Sequence, residues 1–124
     1  AMVALGQLHE TGRLGAPDLP AAMRWYALAA EAGSVEAMVE LATGHYLGRG
    51  LPRDRAAAAH WYREAAKGGD VGAQYLIASM YETGDGVARD LRLARYWYDV
   101  AAQNGDEAAP AKRQELDDRA RAGT

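Results

Sequence analysis

Trp25-Tyr26-Ala27-Leu28-Ala29-Ala30, Trp61-Tyr62-Arg63-Glu64-Ala65-Ala66 and Trp97-Tyr98-Asp99-Val100-Ala101-Ala102 set the architecture, because they are one motif written three times at an interval of 36 residues. A glycine closes each copy: Gly33, Gly69 and Gly105. The same interval aligns the rest of the chain without gaps. Ala1, Ala37, Ala73 and Ala109 form a column, followed by Leu5, Leu41 and Ile77, and by Gly6, Ala42 and Ala78. His9, His45 and Tyr81 come next, then Gly12, Gly48 and Gly84, then Asp18, Asp54 and Asp90, then Ala22, Ala58 and Ala94. A sequence period between 20 and 50 residues is the mark of a stacked repeat architecture.

Each unit reads as two helices. In the second, Ala58, Trp61, Tyr62, Ala65, Ala66 and Gly69 recur at the spacing of one helical face. Asp18, Asp54 and Asp90 stand just before these helices, where a carboxylate accepts from a free backbone N–H. Gly33, Gly69 and Gly105 end them, and Ser34, Asp70 and Asp106 cap the next helix in each case. The first helices are expected over 1–11, 35–47 and 71–83. Between the two helices, Gly48-Arg49-Gly50-Leu51-Pro52 and Gly84-Asp85-Gly86-Val87-Ala88 turn on paired glycines, with Leu51 and Val87 as inward anchors. The first unit moves its second glycine by one, in Gly12-Arg13-Leu14-Gly15-Ala16-Pro17, so a different loop path is expected there. The segment from Asp106 to Thr124 opens as a fourth first helix, with Pro110 in its first turn. It then turns polar, with Leu116 as its one large apolar residue, which suits an end cap. The expectation is an all-α solenoid of antiparallel helix pairs in one repeat domain over 1–124, with repeats near 1–36, 37–72 and 73–108 and a cap helix over 107–121.

Composition narrows the function classes. The 124 residues carry 14 basic and 17 acidic side chains, net charge −3, which gives no basic excess for nucleic acid or an anionic membrane surface. Cysteine is absent, removing disulfides and thiol chemistry. No apolar run reaches the ~18 residues of a membrane span, so no membrane insertion is expected. Ala1 to Gly6 lacks a secretory leader, and repeat material begins at once. This reads as a segment of a longer protein or a mature form. The chain reads as soluble, with the bacterial periplasm and cytoplasm both open.

The conspicuous side chains have packing explanations. Trp25, Trp61 and Trp97 share a helical face with alanines, which reads as core rather than as a sugar- or cation-binding ladder. His9 and His45 sit in the column that holds Tyr81, with no cysteine or carboxylate column beside them. They read as packing residues and not as a metal pair. His60 has no partner pattern and is expected to be exposed. The glycine loops lack the following Lys-Ser/Thr and the preceding strand of a phosphate cradle. Serine occurs only as Ser34 and Ser79, so no nucleophile–base–orienter set is legible. No cofactor and no metal site are expected.

The third unit carries the pattern most completely, in Ala73, Ile77, Ala78, Tyr81, Gly84, Gly86, Val87, Asp90, Ala94, Trp97, Tyr98, Ala101, Ala102 and Gly105. This pattern resembles the Sel-one-like repeat, a relative of the tetratricopeptide repeat, over nearly the whole chain. The second copy departs from it at His45. The resemblance implies a right-handed superhelix and a protein-interaction scaffold, adaptor or regulator without chemistry of its own. Members are similar in serving as adaptors in bacterial envelope and signalling proteins and in eukaryotic endoplasmic-reticulum quality control. Some bacterial members carry a cysteine pair in each unit; this chain is not of that kind.

In stacks of this type the first helices line a concave face, and positions flanking the core stripe point into it. Carried over, these are Val3, Gln7, Glu10 and Thr11; Val39, Thr43, Tyr46 and Leu47; and Tyr75, Ser79, Glu82 and Thr83. Val39, Tyr46, Leu47 and Tyr75 are apolar or aromatic where folding does not obviously require it. The expected partner is therefore another protein or a peptide, not nucleic acid. A polysaccharide-associated envelope scaffold is the first alternative, and would need exposed tryptophans. A hydrolase is the second.

Overall fold

The computed structural model describes residues 2–11 and 18–123. Among them are seven helices and no strand: α1 (Met2–Thr11), α2 (Leu19–Glu31), α3 (Val35–Leu47), α4 (Arg55–Lys67), α5 (Val71–Thr83), α6 (Leu91–Gln103) and α7 (Ala109–Ala122). The principal packing joins chain neighbours, α1 with α2 and so on to α6 with α7. That is the arrangement of an α-solenoid, in which each unit buries its apolar face against the next. Second helices are wedged between successive first helices, so the seams between α1, α3, α5 and α7 lie along one face.

The expected caps form. Asp18 Oδ1 accepts from Ala21 N at 2.9 Å, Asp54 Oδ1 from Ala57 N at 3.0 Å, and Asp90 Oδ1 from Arg92 N and Leu93 N. Ser34 and Asp70 cap α3 and α5 in the same way, whereas Asp106 stands further ahead of α7 and accepts from Ala108 N and Ala109 N. The aspartates before α2, α4 and α6 also donate their backbone N–H to the carbonyls of His9, His45 and Tyr81, at 2.9, 2.8 and 2.9 Å. This column thus ties each first helix to the start of its partner through its main chain. The altered loop expected at Gly12–Pro17 lies outside the described residues.

The turn glycines are needed for two reasons at once. Gly86 adopts φ +75°, and a Cβ there would lie 2.2 Å from the Arg55 carbonyl oxygen. Gly50 is seated likewise against the Leu19 carbonyl, at 2.7 Å. Each loop therefore rests directly on the backbone of the preceding unit's second helix, which only glycine permits. Leu51 and Val87 anchor these loops against the core as expected.

The tryptophan expectation needs correction. Trp97 is buried at 8% exposure, but Trp25 and Trp61 are only half-buried. Tyrosine is the true core column, with Tyr26 at 1%, Tyr62 at 4% and Tyr98 at 0%. The reason lies in helical phase. The tyrosines stand near the middle of the stripe of Ala58, Ala65 and Ala66. The tryptophans, one residue earlier and about 100° round the helix, stand at its edge, where burial varies from unit to unit and only Trp97 is buried. Trp61 instead packs against both core clusters, the one around Tyr26 and the one around Tyr62 and Tyr98, and joins them. Gln74, a buried polar side chain within this core, is satisfied. It donates to the Ala66 carbonyl at 3.1 Å and accepts from Asn104 at 3.0 Å, linking α4, α5 and the end of α6.

Candidate binding groove

The first helices carry the least regular chemistry, and it gathers at the seam between α3 and α5. Thr43, Tyr46 and Leu47 of α3 face Leu76, Ser79 and Met80 of α5 across a cavity of ≈ 180 Å³, with Tyr62 and Asp85 completing the lining. Leu47 is 54% exposed and Leu76 is 41% exposed. Both are apolar side chains left to solvent beside an apolar hollow, which is the usual look of a docking pocket.

A fixed frame holds the pocket open. The Tyr46 hydroxyl donates to Asp85 Oδ2 at 2.8 Å, and Arg55 Nη1 donates to the same oxygen at 2.7 Å. The Arg55 guanidinium lies 3.8 Å from the Tyr46 ring centroid, so the cation is shared between a carboxylate and an aromatic face. The hydrogen bond to Asp85, with burial, pushes the Tyr46 hydroxyl up and keeps it neutral. Beneath it, Tyr62 meets Tyr46 edge-on and shares a 2.8 Å hydrogen bond with Thr43, whose hydroxyl also bonds to the Val39 carbonyl. The rotamers around the hollow are thus locked by three elements: α3, α4 and the α5–α6 loop.

Neighbouring seams repeat the geometry with other residues. Between α1 and α3 stand Gln7, Glu10, Glu36 and Glu40. Gln7 donates to Glu36 at 3.0 Å, and Arg49 approaches Glu10 Oε2 at 3.5 Å. Between α5 and α7, Glu82 accepts from the Tyr98 hydroxyl at 2.7 Å and pairs with Arg119 at 2.9 Å and Lys112 at 3.4 Å. Burial alone would raise the Glu82 carboxyl. The Tyr98 hydroxyl, Arg119 and Lys112 outweigh it and hold the group below the usual range.

The Sel1 repeat model matches residues 1–34, 35–70 and 71–106. The chain belongs to the Sel1 repeat family. Its fold is similar to a Sel1 repeat protein from Oxalobacter formigenes, at 35% identity and TM-score 0.84 over 92% of this chain and 86% of that one. It is also similar to a protective antigen present in uropathogenic Escherichia coli strains that displays an SLR fold, at 33% identity and TM-score 0.81. There it covers 87% of this chain but only 23% of that one. Helicobacter pylori cysteine rich protein B shares the fold at 21% identity and TM-score 0.69, over 73% of this chain and 68% of that one. No curated protein matches the chain. Sel1 repeat proteins generally mediate protein–protein interaction. No helix of the described residues is long and apolar enough to cross a membrane.

Within the Sel1 register, the twelve residues expected on the concave face divide into groups. Thr43, Tyr46, Leu47 and Ser79 line the α3/α5 cavity. Val39 and Tyr75 are part-buried, and Tyr75 meets Tyr98 edge-on, so both also serve the core. Gln7 and Glu10 lie at the acidic seam and Glu82 at the neutralised one. Thr11 and Thr83 donate to carbonyls one turn back on their own helices, Gln7 and Ser79. Val3 belongs to a different, shallower depression shared with Met2 and the α2–α3 turn. Leu76, Met80, Asp85 and Arg55 join the site without being among the twelve. A signal for the first of them is present: Ala4, Glu40, Leu76 and Lys112 form a column whose chemistry changes in every unit. A position free to vary within a strict repeat is one that stacking does not constrain.

Proposed function

We propose that this Sel1 repeat chain is an adaptor or scaffold that holds a peptide, or an extended segment of a partner protein, along the face formed by its first helices. The α3/α5 cavity carries this reading. It is apolar, rimmed by the exposed Leu47 and Leu76, and framed by hydrogen bonds that fix its shape before anything binds. A pocket of ≈ 180 Å³ accommodates one bulky apolar side chain of a partner. The bonding of Tyr46 to Asp85 and the packing of Tyr75 on Tyr98 give these tyrosines structural duties. The exposed leucines are therefore the cleaner probes. Peptides selected from a displayed random library on the immobilised chain are expected to lose about tenfold or more in affinity for a Leu47→Arg/Leu76→Arg variant that keeps its helical circular dichroism. Equal affinity for the folded variant would refute the groove.

A further inference from the structure

Three equivalent slots succeed one another along the groove, each pairing a residue of one first helix with its neighbour on the next. They are Glu10 with Glu40, Tyr46 with Leu76, and Glu82 with Lys112. The second is the apolar cavity. The third is electrostatically complete within the chain: Glu82 receives both Lys112 and Arg119 from α7. Among the described residues the first is incomplete. Glu10 and Glu40 stand together with Glu36 near by, and the cation that the described residues bring within reach is Arg49, 3.5 Å from Glu10. Among the described residues no hydrogen bond or ion pair is made by the Glu40 carboxylate, although the residue is part-buried. Among the described residues Glu10 Oε2 is shielded from solvent and makes no hydrogen bond, the Arg49 guanidinium approaching it at 3.5 Å.

The like charges leave a trace on their surroundings. Burial, then Glu10 and Glu36, push the Glu40 carboxyl above its ordinary range, with Arg49 opposing. Tyr26, on the floor of the same slot, is pushed up to about 12 by burial and by Glu10, Glu40 and Glu36. The contrast is with Glu82, held low at the other end of the groove by the Tyr98 hydroxyl and by Arg119 and Lys112; the described residues of the first slot supply no comparable set.

We propose that the slot between α1 and α3 receives a lysine or arginine side chain from the same partner segment whose bulky apolar side chain fills the α3/α5 cavity. This rests on the groove reading above and adds the partner's chemistry to it. A divalent metal would need more oxygen ligands than this slot offers, whereas a side-chain cation needs one carboxylate, as Glu82 demonstrates. The two slots lie one repeat apart along the groove, and an extended chain advances ~3.3 Å per residue. The basic and apolar residues of the partner therefore stand several positions apart at a fixed spacing.

The test is library selection of displayed random decapeptides on the whole chain, repeated on Glu40→Lys and Leu76→Arg. Wild-type selection is expected to enrich Lys or Arg at a fixed spacing from Leu, Met or Phe. Selection on Glu40→Lys should replace the basic residue by Asp or Glu and keep the apolar one. A labelled wild-type peptide should lose about tenfold in affinity for Glu40→Lys and about threefold for Glu40→Gln, which covers the case in which the charge reversal fails to fold. Peptides that need Leu76 but show no basic preference, and bind both Glu40 variants as wild type, would overturn the inference and leave the groove standing. Peptides indifferent to Leu76→Arg, or no enrichment at all, would overturn the groove reading itself.

Discussion

The slots at the two ends of the groove share a backbone and differ in sign. At the α5/α7 end, Glu82 is surrounded by Tyr98, Lys112 and Arg119 and is held ionised. At the α1/α3 end, burial first and then Glu10 and Glu36 disfavour the Glu40 charge, against Arg49. A glutamate in the groove therefore stabilises the fold in one unit and opposes it in another. The repeated residues build the frame, and the unrepeated ones decide the charge each part of the frame carries.

The largest effect should come from the floor of the completed slot. Tyr98→Ala removes a fully buried ring that touches Tyr75 and supports Glu82, and should cost about 3–5 kcal/mol in urea unfolding. A loss below ~1 kcal/mol would show that the tyrosine column is not the core.

Next is the sign difference between the two glutamates. Glu82→Gln should destabilise by about 1–2 kcal/mol at neutral pH, since two cations and a hydroxyl lose their charged partner. Its folded pKa lies below the ordinary value, so its contribution is present above the unfolded pKa and disappears as pH falls through the folded one. The deficit of the variant should therefore vanish in acid. A deficit that persists below the carboxylate range would point to shape, not charge.

Arg55→Gln tests the middle slot. Removing the cation shared by Asp85 and the Tyr46 ring should cost about 1 kcal/mol and loosen the cavity. The readout is weaker peptide binding with a melting temperature lowered by only a few degrees.

The smallest effect has the opposite sign. Glu40→Gln should stabilise the fold by less than about 1 kcal/mol at neutral pH. Its folded pKa is raised, so Glu40 favours folding only where it is protonated and opposes it as pH climbs through that value. The gain should shrink in acid. A variant more stable yet weaker in peptide binding is the signature of a charge kept for recognition.

The scaffold is legible in the sequence and the groove only partly so. Helix ends, caps and turn glycines come from columns such as Asp54 and Gly86, because stacking imposes the same local demands in every unit. The groove arises from differences between units, and these show only once neighbouring helices are placed side by side. Tyr46 and Leu47 are visible in the sequence as apolar residues that stacking does not need. Asp85 and Arg55 are not, since the loop and helix that bring them together are 30 residues apart. Trp61 misleads for a related reason: adjacent to Tyr62 in sequence, it faces another direction on the helix.

Amide chemical-shift mapping with a selected peptide is the decisive measurement for the groove. Perturbations are expected to concentrate on Thr43, Leu47, Leu76 and Ser79 and to extend to Gln7 and Glu40. Perturbations centred instead on the second helices, around Leu28, His60 and Tyr96, would contradict a binding face built from the first helices.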